Sequence, residues 1–179
     1  MEPLNLDWIT PRLMVGGRFP MESAAHLAES LGVRHVVDVR LEACDDEAVL
    51  RRNGITLLHL PTVDRCAISQ PMLSEGVRWV VEELESGHKV LIHCEHGIGR
   101  SALLALCVLV DRGMAPLEAL ALAKRQRGKV SPSPEQLSAF TMFCEHWKQQ
   151  HGVAWAIPSF EQMAEIAYSH LREPVQQAS

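Results

Sequence analysis

A cysteine, an arginine and a serine lie close together in the segment HCEHGIGRS, which covers residues 93–101. The apolar run VLI leads into Cys94 from the preceding residue, and the apolar stretch ALLALCVLV follows Ser101. Three roles suit a cysteine in such a place: it can be a packed core thiol, a metal ligand or a nucleophile. The residues between Cys94 and Arg100 help to choose among these roles, because two of them are glycine.

The five residues between Cys94 and Arg100 are expected to form a tight loop at the start of a helix. In such a loop the successive backbone N–H groups turn inward and, with the helix N-terminus, make a site for an anion. Gly97 and Gly99 allow backbone angles that a Cβ atom would oppose. The guanidinium of Arg100 can donate two hydrogen bonds to a tetrahedral oxyanion. The predicted phosphate-binding loop consists of Glu95, His96, Gly97, Ile98, Gly99 and Arg100.

The same N–H donors act on the sulfur of Cys94 and favour its thiolate form. A thiolate beneath a bound phosphate is placed for in-line attack on phosphorus, which would give a cysteinyl-phosphate intermediate. The loop donors would stabilise the charge that develops on the phosphoryl oxygens. The hydroxyl of Ser101 can hydrogen-bond the sulfur and make it a better leaving group. We therefore predict that Cys94 is a nucleophile and that Arg100 and Ser101 act with it in catalysis.

The pattern His93-Cys94-x-x-Gly97-x-x-Arg100-Ser101 resembles the signature of the cysteine-based protein tyrosine phosphatase superfamily. The size and layout of the chain are most similar to the dual-specificity branch of that superfamily, over about residues 8–149. The resemblance implies a phosphatase fold and a reaction that uses no cofactor. We expect His93 to orient the loop through a hydrogen bond rather than to act as a base, because a thiolate needs none.

The resemblance also implies a general acid, which in dual-specificity phosphatases is an aspartate roughly thirty residues before the cysteine. In this chain Asp64 lies thirty residues before Cys94, in the segment LPTVDRCAISQP. A predicted strand precedes Asp64, so the carboxylate is expected at the carboxyl end of that strand, where ligand clefts open in α/β sheets. A plain turn aspartate is the alternative interpretation. The spacing favours Asp64 as the general acid.

A third segment, RQRGKVSPSPEQLSAF at residues 125–140, is similar to the family's Arg…Ser-Pro-Asn segment before its last long helix. Ser133 stands where the family has asparagine, which leaves open what replaces the polar contact of that asparagine to the signature loop. Arg125, Arg127 and Lys129 could line the mouth of the pocket. A charged helix end and turn explain these three residues equally well.

Strands alternate with helices over the first two-thirds of the chain, and helices follow one another afterwards. This order predicts an α/β protein with a central, mostly parallel sheet of about four to five strands, flanked by helices. The predicted strands cover residues 13–17, 34–40, 55–60 and 88–93. The predicted helices cover residues 21–31, 46–54, 71–85, 99–112, 115–126 and 134–149. The acidic residues at the start of the second helix, Asp45, Asp46 and Glu47, are expected to complement its dipole.

Residues 1–150 are predicted to form the dual-specificity-phosphatase-like catalytic domain, and residues 151–179 a C-terminal extension. The extension has the sequence of one helix, with Ser159 as N-cap and Gln162 completing a capping box. Its last residues, REPVQQAS, are typical of a frayed tail. The role of the extension and the oligomeric state stay open.

The composition of the 179-residue chain is ordinary for a globular protein, with 47% hydrophobic and 22% charged residues. Its net charge of −5 argues against a nucleic-acid partner and against a polybasic membrane surface. The sequence has no apolar stretch that would cross a bilayer, and its first residues lack the pattern of a signal peptide. The five cysteines, an odd number without a Cys-x-x-Cys pair, disfavour a disulfide framework and a metal site. They favour a reducing, cytoplasmic location.

The predicted substrate is a phosphorylated protein, in which phosphotyrosine and also phosphoserine or phosphothreonine would be hydrolysed. The loop carries no lysine, unlike the loops of branches that act on phosphoinositides. If Glu95 faces the mouth of the pocket, its charge should disfavour polyanionic substrates.

Two alternatives to a protein substrate remain. The first is a phosphatase for a non-protein phosphoester, such as an RNA 5′ end, a nucleotide, a lipid or a sugar. His96 before Gly97 resembles a branch that acts on RNA 5′ ends, although the acidic chain argues against RNA. The second is a phospho-binding module without turnover, which is disfavoured because Cys94, Arg100, Ser101 and Asp64 are all present.

Overall fold

The carboxyl ends of four parallel strands lie along one edge of a five-stranded sheet. The structure is a computed structural model that describes residues 3–172. Its strands are β1 (Leu6–Trp8), β2 (Leu13–Gly16), β3 (Val33–Arg40), β4 (Thr56–Thr62) and β5 (Lys89–His93). Their order is β1-β2-β5-β3-β4, in which β1 runs antiparallel to β2 and the other neighbours are parallel. The predicted α/β class with a mostly parallel sheet is confirmed.

Between residues 3 and 172, seven α-helices pack around this sheet. They are α1 (Ala24–Glu29), α2 (Glu47–Arg52), α3 (Gln70–Glu85), α4 (Arg100–Asp111), α5 (Pro116–Gln126), α6 (Pro134–His151) and α7 (Phe160–Ala167). The ends differ from the predicted ones by a few residues. For example, a short 3₁₀ turn at Met21–Ser23 precedes α1.

The strand β1 has no counterpart among the predicted strands. It has three half-buried residues at the edge of the sheet, where Asp7 lies opposite Val15 of β2. A strand of three residues is too short for an alternating pattern to be recognised. It nevertheless brings Asp7 close to the signature loop, as described below.

The side chains of β5 separate two hydrophobic cores. Val90 and Ile92 belong to the core that also contains residues of α3, α4, α5 and α6, whereas Leu91 belongs to the core that contains residues of α1. This division follows from the period of two in a strand. The helix α4 is buried from Arg100 to Val110. The strand before the signature loop and the helix after it are therefore both buried among packed elements.

The C-terminal helix α7 begins with the predicted capping box of Ser159 and Gln162. Met163 and Ala167 are buried in the core that contains α4 and α5. The predicted domain boundary at residue 150 stays a prediction, and residues 173–179 of the predicted frayed tail lie outside the described residues. None of the helices in the described range combines the length and hydrophobicity that crossing a bilayer requires.

Candidate active site

Cys94 directly follows β5, at the edge of the sheet where the parallel strands end. His93 pairs with Gly16 of β2 on one side and with Asp38 of β3 on the other. The N–H of Cys94 continues this pairing, because it donates to the carbonyl of Gly16 at 3.2 Å. The helix α4 then begins at Arg100. The sequence thus forms the strand, loop and helix that its pattern predicts.

The carbonyl groups of the loop are bound from outside it, because four successive carbonyl oxygens accept hydrogen bonds from neighbouring segments. The N–H of Arg18 donates to the carbonyl of Glu95 at 3.0 Å, and the N–H of Ser131 donates to the carbonyl of Ile98 at 2.9 Å. The carbonyl of His96 accepts from Asn5 Nδ2 at 3.2 Å and from Arg127 Nη2 at 3.0 Å. The carbonyl of Gly97 accepts from Arg127 Nε at 2.8 Å. A trans peptide directs its N–H opposite to its C=O. The N–H groups of the loop therefore face its inside, as in an anion-binding nest.

The sulfur of Cys94 lies within this nest. The N–H of Gly97 donates to Sγ at 3.2 Å, and the hydroxyl of Ser101 lies 3.3 Å from the same sulfur. Cys94 is 3% exposed, and it precedes the N-terminus of α4. A backbone donor and a helix N-terminus both stabilise negative charge on sulfur. The contacts are those that a sulfur nucleophile and leaving group requires.

Two loop positions require glycine, each for a different reason. Gly97 has a φ of 67°, in the left-handed region, and a Cβ atom there would also overlap the backbone of Gly16. A Cβ atom on Gly99 would overlap the side chain of Gln136. Larger residues at either position would displace the loop from its supports.

Arg127 supports the loop from behind and does not line the mouth of the cleft. Its side chain is buried, and its guanidinium also donates to Asp7 at 2.7 Å and to the Asn5 side chain at 2.7 Å. These contacts join the loop to β1 and to the segment before it. The sequence allows Arg127 a place at the pocket mouth or in a charged helix end, but in the structure its buried guanidinium donates to loop carbonyls.

Arg100 is buried and held by acidic and backbone acceptors. Nη1 donates to Glu42 and to the carbonyl of Thr62, each at 2.8 Å, and Nη2 donates to Glu42 at 2.6 Å. Asp64 lies 3.4 Å from Nη2. Burial opposes the charge of Arg100, but the hydrogen bond to Glu42 and the nearby Cys94 and Asp64 outweigh it and raise its pKa. The hydrogen bonds from Arg100 lower the pKa of Glu42 to about 2. Sequence analysis does not predict Glu42 as a site residue.

The turn after β4 carries Asp64, whose side chain is 58% exposed. Its Oδ1 accepts from the N–H of Arg65 at 2.9 Å. Arg65 has a φ of 63°, an unusual value for a residue with a Cβ atom. The predicted general acid thus lies next to the signature arginine, Arg100.

Two side chains at the start of α6 hold this turn. The hydroxyl of Ser133 donates to the carbonyl of Arg65 at 2.8 Å, and Gln136 Nε2 donates to the carbonyl of Cys66 at 3.1 Å. Ser133 and Gln136 also form the capping box of α6. Ser133 therefore makes a polar contact to the Asp64 turn. The role of Gln136 is not predicted from the sequence, although the capping-box spacing between Ser133 and Gln136 could have indicated it.

His93 is buried and binds Asp45 through Nε2 at 2.6 Å. Its Nδ1 lies 3.2 Å from the carbonyl of Cys94. The prediction that Asp45 complements the dipole of α2 is wrong for this residue, since the N-cap is Asp46 and Asp45 is buried beside His93. The hydrogen bond between His93 and Asp45 fixes the orientation of the His93 imidazole.

Arg40 completes a buried charged network beneath the loop. It donates to Asp38 at 3.0 and 2.9 Å, to Asp45 at 3.0 Å and to Glu95 at 3.2 Å. Burial would raise the pKa of Asp38, but hydrogen bonds from Arg40 and the nearby His93 lower it overall. Asp38, Asp45 and His93 lie close enough to share a metal ion. The guanidinium of Arg40 already donates hydrogen bonds to both carboxylates there.

Glu95 turns towards arginines and is not part of the cleft wall. Besides Arg40, it contacts Arg18 Nε at 3.2 Å. The expectation that a Glu95 carboxylate at the pocket mouth repels polyanions therefore does not hold in this form, because two guanidinium groups compensate its charge.

The cleft above Cys94 has a volume of about 330 Å³. Its walls include Asp64, Arg65, His96 and Ile98. A groove of about 400 Å³ between α3 and α6 is larger, but it holds none of the predicted site residues. The smaller cleft is therefore the one that the predicted nucleophile Cys94 and the predicted general acid Asp64 share.

Comparison with known proteins identifies the family to which the chain is similar. A family model described as "PTP-SAK: Swiss Army Knife protein, DSP-PTPase phosphatase domain" matches residues 3–146. Dual specificity protein phosphatase 2 of Mus musculus is 30% identical over 104 residues, which cover 52% of this chain and 33% of the mouse protein. The chain thus spans about one third of the length of that relative.

Solved structures share the fold. The crystal structure of Tk-PTP in the active form matches with a TM-score of 0.73 at 28% identity, covering 81% of this chain and 99% of the other. The structure of PTPMT1 in complex with PI(5)P matches with a TM-score of 0.77 at 22% identity, covering 82% and 98%. The second likeness concerns the fold alone.

Proposed function

We propose that this chain, which belongs to the dual-specificity phosphatase family of cysteine-based protein tyrosine phosphatases, hydrolyses phosphotyrosine and also phosphoserine or phosphothreonine in proteins. The observation that carries the proposal is the position of Cys94 Sγ, within a nest of loop N–H groups and in the cleft that Asp64 flanks. We also propose residues 1–150 as the catalytic unit and the cytoplasm as its location.

In the first step of the proposed reaction, the thiolate of Cys94 attacks phosphorus and the bond from phosphorus to the ester oxygen breaks. Asp64 gives its proton to that oxygen, so the leaving group departs as an alcohol or phenol. The loop N–H groups and Arg100 stabilise the phosphoryl oxygens. Arg100 Nε has no hydrogen-bond partner among residues 3–172, so it is a donor available to the phosphate.

In the second step a water molecule attacks the phosphorus of the cysteinyl phosphate. The Asp64 carboxylate takes a proton from this water, and the bond from phosphorus to sulfur breaks, which releases inorganic phosphate. The Ser101 hydroxyl, 3.3 Å from Sγ, donates to the sulfur as the thiolate forms again. His93 orients the loop through its hydrogen bond to Asp45 and takes no proton in either step.

The surroundings of the cleft support an ester with an apolar body. Leu41, Val63 and Ile98 are large apolar side chains with exposed surface on loops beside the site. The N–H of Leu41 donates to the carbonyl of Thr62 at 3.1 Å, which places Leu41 close to Val63. A tyrosine ring or a peptide around the phosphorylated residue would cover this apolar surface.

A non-protein phosphoester is the second candidate, since Glu95 is compensated and the cation Arg65 lines the cleft. PTPMT1, which has a similar fold, was solved in complex with PI(5)P, so the fold itself does not select a protein substrate. An RNA 5′ end, a nucleotide, a lipid or a sugar phosphate would be cleaved by the same residues. A binding module without turnover has less support, because the nucleophile and the general acid are both in place.

Hydrolysis of p-nitrophenyl phosphate without added metal tests the proposed function. The wild type is expected to be active, Cys94→Ser inactive and Cys66→Ser, at a cysteine beside the Asp64 turn, active. An inactive wild type, or an active Cys94→Ser, would contradict the proposal. A panel of phosphopeptides, phosphoinositides and 5′-triphosphorylated RNA then compares kcat/KM between substrate classes. The proposal expects the highest value for phosphotyrosine peptides, and a higher value for lipid or RNA would replace the protein substrate.

A further inference from the structure

A second cluster of ligand-type side chains lies near the opposite end of the sheet from Cys94. His35 is near the start of β3, Glu83 is in the last turn of α3, and His88 is in the turn before β5. His35 pairs with Val90, four residues before Cys94 on β5. Strand geometry therefore separates the cluster from the active site by about 13 Å.

Three ligand atoms of this cluster converge. His35 Nε2 lies 2.9 Å from Glu83 Oε2, and His88 Nδ1 lies 2.8 Å from the same oxygen. The two nitrogen atoms are 3.0 Å apart. A proton on one nitrogen can be donated to the other nitrogen or to the carboxylate, whereas one cation between the three atoms contacts all of them at once. Ligand atoms of a tetrahedral zinc site are about 3.3 Å apart. The three ligand atoms would therefore have to move apart by only a few tenths of an ångström to accommodate the ion.

Thr56 orients His35 for such a role. The Nδ1 of His35 lies 2.5 Å from the Thr56 hydroxyl oxygen. When Nδ1 donates its proton to this hydroxyl, the lone pair of Nε2 is directed at the cluster, as in metal-bound histidines. Burial lowers the pKa of His35, the Glu83 carboxylate raises it by less, and His88 lowers it further.

The charge of Glu83 is available to an ion. Within residues 3–172, its ion pairs are to His35 and His88 and include no lysine or arginine. The cluster of Asp38, Asp45 and His93 beneath the loop differs in this respect, because its two carboxylates are paired with Arg40. The side chains of His35, Glu83 and His88 are 11%, 26% and 47% exposed. Solvent can thus supply a fourth ligand on the side of His88.

We propose that His35, Glu83 and His88 bind a zinc ion, with water as the fourth ligand. The ion ties the turn between α3 and β5 to β3, which is a structural role separate from the phosphatase reaction. The sequence disfavours a metal site, because its histidines and cysteines have no recognised metal-ligand spacing. The fold brings them together from three different elements.

Zinc titration of the metal-stripped full chain, in competition with a chromophoric chelator, measures this site. His88→Ala is expected to weaken the tight site by at least about 100-fold, since even the loss of an outer partner costs about 10–100-fold. Thr56→Val is expected to weaken it by about 10–100-fold, whereas Thr56→Ser retains the hydroxyl and the affinity. His146→Ala, at an exposed histidine on α6, is the control and keeps wild-type affinity.

The cobalt complex identifies the ligands. Nitrogen and oxygen ligands give visible d–d bands without a thiolate charge-transfer band, which separates this site from Cys44, Cys66 and Cys94. Glu83→Gln preserves the shape of the side chain and is a second test if His88→Ala does not fold. The proposal is wrong if the wild type has no tight zinc site. It is also wrong if His88→Ala and Glu83→Gln bind as the wild type does, or if the cobalt spectrum has a thiolate band.

Discussion

Glu42 holds Arg100 by two hydrogen bonds, of 2.8 Å to Nη1 and 2.6 Å to Nη2, although the two residues are 58 positions apart in the sequence. The carbonyl of Thr62 binds Nη1 as well. These acceptors fix the plane of the guanidinium before any phosphate enters the cleft. A donor that is oriented in advance stabilises a transition state without further reorganisation.

Glu42→Ala tests this positioning role. We expect kcat/KM for p-nitrophenyl phosphate to fall roughly 10- to 100-fold, because hydrogen bonds to charged groups are worth about 1.5–3 kcal/mol. Glu47→Ala, at an exposed acid in the first turn of α2, is the matched control and should retain activity. Equal kcat/KM for wild type and Glu42→Ala would remove Glu42 from the site.

The pairing of Glu42 with Arg100 also predicts a dependence of stability on pH. The pKa of Glu42 is lowered to about 2 in the folded protein, from 4.5. A lowered pKa contributes stability that is complete above about 4.5 and is lost as the pH falls towards 2. The difference in free energy of unfolding between wild type and Glu42→Gln, from urea denaturation, should be constant from pH 7 to 5. It should then shrink towards pH 3, and a constant difference down to pH 3 would contradict the pairing.

Asp64 is predicted to protonate the leaving group, so its replacement should matter most for poor leaving groups. For Asp64→Asn we expect kcat on a phosphotyrosine peptide to fall by about 10²–10⁴-fold. The loss should be smaller for p-nitrophenyl phosphate, whose phenolate leaves more readily. The same small loss on both substrates would show that Asp64 is not the general acid.

Ser133 and Ser159 offer a matched pair of helix caps. Each accepts a hydrogen bond from the third residue of its helix, in a capping box with Gln136 or Gln162. Either serine-to-alanine change should lower the free energy of unfolding by about 0.5–2 kcal/mol. Ser133 also binds the carbonyl of Arg65, next to Asp64. Ser133→Ala should therefore lower kcat, whereas Ser159→Ala leaves it unchanged. Equal kcat values for the two variants would argue against a functional contact between α6 and the Asp64 turn.

The parts of the site that the sequence predicts are local. Cys94, the loop glycines and Arg100 follow one another in the sequence, so their order predicts the strand, the loop and the helix start. Residues of distant segments, such as Arg127 and Glu42, then hold the loop and the guanidinium in place. The predicted sheet also follows from local patterns, since β3, β4 and β5 are apolar runs of ordinary length. Asp64 was found through family resemblance and its position after a strand, and the structure places it 3.4 Å from Arg100.

The parts that the sequence does not predict depend on contacts between distant elements. Glu42 and Asp45 lie in the same acidic turn after β3, yet Glu42 binds Arg100 and Asp45 binds His93. Nothing in their spacing separates these two roles from that of Asp46, which caps α2. Arg127 is similar, because its burial depends on the carbonyl groups of a loop 30 residues away. Such roles are decided by packing, which a single sequence does not display.

Trapping the phosphoenzyme tests the central claim, that Cys94 carries the phosphoryl group during turnover. The experiment mixes Ser101→Ala with a ³²P-labelled phosphotyrosine peptide, stops the reaction with denaturant and maps the label by proteolysis. Ser101→Ala is chosen because loss of the hydroxyl 3.3 Å from Sγ should slow the departure of sulfur and let the intermediate accumulate. The account predicts label on the peptide that contains Cys94, and no label when Cys94→Ser is added. Label on another residue, or turnover by the Cys94→Ser protein, would contradict it.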